Sequence, residues 1–202
     1  MGTFTLDQAF GPYKVGIWDE PPAYRTIIGD FFNLNETGGP NQLSFDSEFD
    51  NAYWSKNAGA SITANAIAAP DQTLTADRFY SGGAGTSVGL YRAISVDAGE
   101  SMSIFAKADT CSKLALIDAV AAGAWAQFDL SLGSVNSSSN CTATIEDFGN
   151  GWYRITAGVV SATGGFFIIQ GLDSFIAGNP WSTGTMTIGT GLYLWHARLW
   201  LP

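Results

Sequence analysis

The sequence predicts an all-β protein, an antiparallel jelly-roll β-sandwich with an extended N-terminal arm. Three observations lead to this prediction. Apolar residues alternate with period two in several short segments, turn signals separate these segments at intervals of about 8–12 residues, and helical periodicity is scarce. The 202 residues are 46% hydrophobic, which is enough for the core of one domain. We therefore expect one sandwich over residues 41–202 and a separate arm over residues 1–40.

Short strands are predicted directly after turn residues, and we expect eight to ten strands in all. Residues 101–108 follow the turn Asp97–Gly99, and residues 164–172 have glycine at both ends. The run Gly149–Gly151 tolerates positive φ and precedes a predicted strand at residues 152–160. These positions fit the closely spaced turns of an antiparallel sandwich.

The side chains after the Gly149–Gly151 run predict how this corner packs. Trp152 and Tyr153 must point to opposite faces if a strand begins there. We expect Trp152 to be buried and Tyr153 to face outward or lie in a second layer.

Two longer segments need a choice of secondary structure. Residues 114–130 are rich in alanine, but Gly123 interrupts them, so we predict two strands with a turn around residues 121–124. Residues 185–201 alternate throughout and predict a closing strand. One face would carry Tyr193, Trp195, Ala197, Leu199 and Leu201, and the other Leu192, Leu194, His196, Arg198 and Trp200.

The charge distribution excludes some partners. The net charge is −9 with only nine Lys and Arg residues, and no basic run is present, so nucleic-acid binding is not expected. No apolar run reaches the roughly 18 residues that span a bilayer. Charged residues make up 13%, below the roughly 25% of a typical soluble domain. This low fraction fits either a protein buried in an assembly or a neutral, Gly/Ser/Thr-rich surface.

The first 40 residues differ in kind from the rest. They combine Pro21-Pro22, which enforces an extended segment, with bulky aromatic residues that are costly to leave in water. Two interpretations remain: the arm packs on its own sandwich, or it docks on a neighbouring copy or a capsid protein. The anchoring residues in the second interpretation are Trp18, Tyr24, Arg25, Ile27, Phe31 and Phe32.

The sequence contains few candidates for catalytic residues. We therefore expect that the protein is not an enzyme and binds no cofactor or metal. The sequence has one histidine, His196. It lies in a predicted strand, so we expect a half-exposed residue with a structural role. Asp46, Glu48 and Asp50 alternate with apolar residues, which predicts the edge of a strand. The alternative is that the three carboxylates hold Ca²⁺ through oxygen ligands, although the Asp-x-Asp-x-Asp-Gly sequence of a calcium-binding loop is missing.

Two further pairs of residues carry specific expectations. Cys111 and Cys141 are expected to be free and buried thiols, because two cysteines do not make a disulfide framework. The alternative is one disulfide between them across the domain. Trp181 and Tyr80 lie in predicted loops and are candidates for contact with a glycan, since exposed aromatic faces with polar neighbours bind sugars. The alternative for both rings is a place in the core.

Several sequence blocks together resemble a known family. FDNAYWSK (49–56), APDQTLTAD (69–77), AGESMSIFAKAD (98–109), IEDFGNGWYRI (145–155) and GLYLWHARL (191–199) occur in the order seen in that family. The resemblance is to the jelly-roll β-sandwich of phage virion proteins, which is similar to carbohydrate-binding modules and lectins. It covers residues 41–202. The sequence departs from the pattern at His196 and Arg198, where the family has glycine and glutamine.

The resemblance implies a place on the virion surface, without naming a particular sugar. We expect a capsid decoration protein that joins the major capsid protein or another virion protein through the arm and forms homo-oligomers, most simply trimers. The alternative is a small adhesin of the tail or head that binds a host-surface glycan.

Overall fold

Twelve strands make up the regular structure in the described part of the computed structural model, which comprises residues 38–83, 85–118, 123–161, 164–181 and 183–202. Alternating apolar residues and short turns favour strands throughout. The strands are β1 (Ser55–Asn57), β2 (Ala60–Ile67), β3 (Ala76–Ser81), β4 (Gly89–Val96), β5 (Ser101–Ala108), β6 (Lys113–Ile117), β7 (Trp125–Asp129), β8 (Ser134–Ser139), β9 (Cys141–Asp147), β10 (Trp152–Val159), β11 (Gly164–Leu172) and β12 (Gly191–Trp200).

The strands form two antiparallel sheets of six strands each. Sheet A has the order β1-β4-β11-β6-β7-β8, and sheet B has the order β2-β3-β12-β5-β10-β9. One buried apolar cluster contains side chains from both sheets, such as Phe167 and Leu116 of sheet A and Phe79 and Ile104 of sheet B. The two sheets therefore share one core, as in a β-sandwich, which confirms the all-β prediction.

Several predicted strands have the bounds expected from the sequence. The strands at 101–108 and 164–172 are confirmed to the residue. Residues 113–129 form the hairpin partners β6 and β7, and no helix forms in their described part. Local turn residues set these bounds, which explains why the sequence alone located them.

The closing strand departs from the predicted alternation. Leu192 and Leu194 enter the core as one set, but after the middle of β12 the core residues are Ala197 and Leu199. The register with β5 shifts between Trp195 and Arg198, and His196 has φ 52°. A bulge of this kind adds one residue and moves the following side chains to the opposite face. The prediction of two uninterrupted faces was wrong for this reason.

The glycine corner forms as predicted, but its two aromatic side chains point to the opposite faces of the strand from those expected. Gly149, Asn150 and Gly151 all have positive φ. Trp152 is 3% exposed, as expected, yet Tyr153 lies on the same side as Ile155 and packs against the main core. Trp152 therefore points to the outer face of sheet B. Two alternatives were given for Tyr153, facing outward or lying in a second layer, and the outward one was wrong.

The segment before β1 forms consecutive turns, although a strand edge was predicted around the acidic residues. The N–H of Glu48 donates to Phe45 O, and the N–H of Asn51 donates to Glu48 O. Phe45 adopts φ 51°, which a strand does not allow. The turns place the Trp54 ring inside the sandwich, where it is 1% exposed.

Both thiols are free, as predicted, but they differ in burial. Cys111 is buried, whereas Cys141 is half-buried. Burial raises the pKa of both thiols, that of Cys141 to about 11. In the described ranges we find no helix long and apolar enough to cross a membrane.

The predicted anchoring residues of the arm lie outside the described residues. The described chain starts beside the end of β12, where the N–H of Gly39 donates to Leu201 O and the N–H of Gln42 donates to Leu199 O. These two hydrogen bonds belong to the sandwich itself and define where a truncation can begin.

Candidate functional site

The two residues predicted to contact a glycan lie on different sheets. Trp181 belongs to the connection between β11 and β12 and packs on the outer face of sheet A. Tyr80 lies on β3 of sheet B, where the guanidinium of Arg78 stands 5.0 Å from its ring centroid. The structure therefore does not bring Trp181 and Tyr80 together in one site, and Trp181 has the richer aromatic surroundings.

Two rows of paired residues, each with one residue from every strand, run across the outer face of sheet A. The first row is Ser55, Tyr91, Ile168, Ile117, Trp125 and Ser139. The second row is Asn57, Gly89, Gln170, Ala115, Gln127 and Ser137. We call them the aromatic row and the amide row. Polar residues end both rows, and apolar residues with two glutamines fill their middle.

Three half-buried aromatic rings meet at one side of this face. Tyr91 and Phe166 have centroids 5.9 Å apart, and Tyr91 and Trp181 have centroids 6.2 Å apart, with interplanar angles of 76° in both pairs. Edge contacts of this kind stabilise aromatic clusters. The rings rest on a fully buried base that includes Ile117 and Ile168. We call Tyr91, Phe166 and Trp181 the aromatic patch.

Trp181 is held in place by its own backbone and by a glycine beneath it. Asn179 Oδ1 accepts from the N–H of Trp181 at 3.0 Å, and Ser87 Oγ donates to Trp181 O. A Cβ at Gly89 would lie 2.9 Å from the Trp181 ring, which real side chains do not tolerate. Glycine at position 89 is therefore required for the ring to lie against β4.

Two buried glutamines hold the segment that carries Trp181. This strap, residues 173–181 and 183–187, crosses the amide row. Gln127 Nε2 donates to Ile176 O at 2.7 Å, and Gln127 Oε1 accepts from the N–H of Ile176 at 2.9 Å. Gln170 Nε2 donates to Pro180 O and Gly184 O, each at 3.2 Å. The amide row therefore fixes the strap on both sides of Trp181.

Replacing Gln170 with methionine, which has a similar shape and no amide, is expected to loosen the strap. Each lost hydrogen bond costs about 0.5–1.5 kcal/mol, because Pro180 O still accepts from the N–H of Gly184 and Gly184 O still accepts from the N–H of Ser87. Part of this cost is offset because Gln170 Oε1, which is buried and has no partner among the described residues, is removed as well. We expect a loss of about 1 kcal/mol in the free energy of unfolding and faster amide hydrogen exchange in residues 183–187.

The control for this substitution is Gln42→Met, because the exposed Gln42 side chain donates to Glu100 at the surface. It should leave both quantities unchanged. Unchanged exchange of residues 183–187 in the Gln170→Met protein would show that Gln170 does not hold the strap.

The predicted structural histidine pairs with an acid in the turns before β1. His196 Nδ1 lies 3.4 Å from Asp46 Oδ2, and its side chain is 28% exposed. Burial alone would raise the pKa of Asp46, but hydrogen bonds and the charge of His196, with further bonds from Ser47 and Asn41, lower it below the usual value. The pair joins the turn before β1 to the bulge in β12, which is a structural role.

Asp118 at the end of β6 is the most unusual acid in the described residues. It is fully buried, and neither carboxylate oxygen has a hydrogen-bond partner among the residues that the structure describes. Its backbone is well bonded, since its N–H donates to Ala124 O and its carbonyl accepts from Phe166. Burial raises the pKa of the carboxyl to about 6. In the ranges that the structure describes, no group of three or more His, Cys, Asp or Glu residues is placed to hold a metal.

Comparisons with known proteins give structural similarities and no sequence match. No protein-family model and no curated protein matches the chain. The enzymatically active domain of tailspike protein 4 of bacteriophage CBA120 aligns with 14% identity and a TM-score of 0.45 over 80% of this chain and 21% of that chain. A candidate sugar-binding protein from Bacteroides thetaiotaomicron aligns with 10% identity and a TM-score of 0.36 over 83% of this chain and 96% of that chain.

These similarities assign no family. The chain spans about a fifth of the length of the tailspike protein (21%), and both TM-scores are below 0.5. Any functional assignment therefore depends on the residues of this chain.

Proposed function

We propose that this chain is a carbohydrate-binding protein of a phage virion surface and that the aromatic patch on sheet A contacts the sugar. The observation that carries the proposal is the contiguous group of Tyr91, Phe166 and Trp181, which is half-exposed on the outer face of a sheet. Exposed apolar groups rimmed by polar residues mark ligand-binding surfaces, and aromatic side chains with a few polar groups are typical of such sites.

The order of the strands supports a jelly roll as the finer fold assignment. The inner strands run β4-β11-β6-β7 in sheet A and β3-β12-β5-β10 in sheet B. Eight strands that alternate between two sheets in this way are typical of the double Greek key found in viral capsid and lectin domains. Together with the sequence blocks that resemble phage virion proteins, this order favours a location on the particle.

The test of glycan binding compares the two outer faces. Trp181→Ala and Tyr91→Ala should each weaken binding to a host-surface polysaccharide at least tenfold, because each removes an aromatic contact worth about 1.5–3 kcal/mol. Tyr80→Ala is the matched control and should bind normally. The measurement is a glycan array followed by calorimetric titration of any sugar that binds. Normal binding by both patch variants would contradict the proposal.

Capsid decoration is the second candidate function, and the sequence of residues 1–40 favours it. Trp18, Tyr24, Phe31 and Phe32 are aromatic, and fully burying a large apolar side chain stabilises a contact by about 1.5–3 kcal/mol. Arms displayed on a symmetric shell or in a trimer would add their affinities through avidity. In this candidate function the arm contacts the major capsid protein or a neighbouring copy.

Deletion of residues 1–37 tests the arm and keeps the hydrogen bonds of Gly39 and Gln42. We expect the truncated sandwich to fold and melt like the full chain but to lose attachment to the particle, as measured by co-sedimentation with virions. A truncated protein that unfolds would place the aromatic residues in the core of their own sandwich. A truncated protein that still attaches would place the anchor on the sandwich.

A further inference from the structure

The outer face of sheet A carries no charged residue across two full rows. All twelve positions of the aromatic row and the amide row are described, and none is Asp, Glu, Lys, Arg or His. Arg92 follows Tyr91 in β4 but points to the opposite face, where its guanidinium lies 4.2 Å from the Tyr53 ring centroid. Hydroxyl and amide groups are therefore the polar partners that this face offers.

Charges on the same face begin only in the row beyond the strap. Lys113 and Asp129 face each other there, and the amine of Lys113 lies 5.6 Å from the Phe175 ring centroid. Four residues along β6 separate Lys113 from Ile117 of the aromatic row, which is about 13 Å at the rise of a strand. Salt screens exposed charges over about 8–10 Å, so Lys113 and Asp129 contribute little at the patch.

The outer face of sheet B shows the opposite character. Its register places Arg78, Lys107, Arg154 and Glu146 on neighbouring strands. Arg154 bonds to Glu146 at 2.6 Å, and Arg78 bonds to Asp109 at 2.7 Å. The two faces of one sandwich therefore differ in charge, and the aromatic patch lies on the uncharged one.

We infer that the ligand of the aromatic patch is an uncharged pyranose sugar. This inference rests on the proposed function. A carboxylated, sulfated or phosphorylated sugar would lose hydration on a face without a counter-charge, and the net charge of −9 would repel it. A neutral sugar stacks an apolar ring face on Tyr91 or Trp181 and leaves its hydroxyls for neighbouring groups such as the exposed Ser55, which pairs with Tyr91.

The experiment is affinity electrophoresis of the full chain in gels that contain one polysaccharide each. The neutral probes are dextran, α-mannan and galactan, and the anionic probes are alginate and hyaluronan. We expect retardation by at least one neutral probe, an affinity that changes less than about twofold between low and high salt, and loss of retardation in Trp181→Ala. Lys107→Ala, on the charged face of sheet B, should behave like the unmodified protein.

Each contrary result has a distinct meaning. Salt-sensitive binding to anionic probes only, abolished by Trp181→Ala, would overturn the uncharged ligand and leave the proposed site standing. Binding that survives Trp181→Ala and Tyr91→Ala but fails in Lys107→Ala would move the ligand to sheet B and overturn both proposals. Retardation by none of the probes would overturn the inference, and a glycan array without any hit would overturn the proposed function too.

Discussion

Trp54→Ala should lower the free energy of unfolding by about 3–5 kcal/mol, the usual cost of removing a large buried aromatic side chain. The Trp54 ring is 1% exposed and contacts Phe49 at 5.2 Å and Phe167 at 5.9 Å between ring centroids. Its indole N–H also donates to Phe45 O at 2.8 Å. The side chain therefore joins the turns before β1 to the centre of sheet A, and denaturant unfolding measures the loss.

Trp54→Phe separates packing from hydrogen bonding. It keeps an aromatic ring but removes the indole hydrogen bond to Phe45 O, which still accepts from the N–H of Glu48, so we expect a smaller loss of about 0.5–1.5 kcal/mol. An alanine variant that unfolds within 1 kcal/mol of the unmodified protein, about the median effect of any substitution, would contradict the placement of Trp54 in the core.

Asp118→Asn should stabilise the protein at neutral pH and leave it nearly unchanged at pH 4. The folded pKa of about 6 lies above the ordinary value of 3.8, so the folded state binds the proton more tightly than the unfolded state. The stability from this proton is fully present below the ordinary pKa and is lost as the pH rises through 6. A shift of about two units corresponds to about 3 kcal/mol, which asparagine recovers because it carries no charge.

Asp77→Asn is the contrasting substitution, because Asp77 is equally buried but well bonded. Its carboxylate accepts from the N–H groups of Phe49 and Asn65, each at 2.8 Å. The side-chain amide of asparagine would place its own N–H group against the backbone N–H of Phe49 or Asn65. Two donors would then face each other, so we expect a lower free energy of unfolding. Thermal melts between pH 4 and pH 8 make the comparison. An Asp118→Asn protein with the same pH dependence as the unmodified protein would show that Asp118 is not the titrating group.

The sequence predicted those parts of the fold that local signals determine. Strands β5 and β11 begin and end at turn residues, and the interruption at Gly123 identified β6 and β7 as strands. Positive φ at Gly149 and Gly151 was predictable because glycine adopts it without a steric cost. The free thiols were the favoured prediction because two cysteines are too few for a disulfide framework.

Tertiary packing decided the remaining parts. The bulge at His196 arises where the turn before β1 bonds to β12, since the N–H of Ala197 donates to Asp46 O. No pattern within residues 185–201 signals a partner 150 residues away. The turns at Phe45 and Glu48 likewise replace a predicted strand because the Trp54 ring must enter the core.

The candidate site was predictable in only one of its residues. Trp181 follows Pro180 in a glycine-rich loop, which marked it as a loop aromatic residue. Tyr91 and Phe166 meet only because β4 pairs with β11, two strands far apart in sequence. Gln127 and Gln170 gave no local signal, because their role depends on which strands become neighbours in sheet A.

The most direct test of the central claim is the indole N–H spectrum of the protein with and without a bound neutral glycan. Seven tryptophans give seven indole resonances, which single Trp→Phe substitutions assign. We predict that the glycan shifts the resonance of Trp181 and leaves those of Trp195 and Trp200 on sheet B unchanged. A glycan that shifts the indole resonance of Trp195 or Trp200 and leaves the resonance of Trp181 unchanged would contradict the assignment of the site to sheet A.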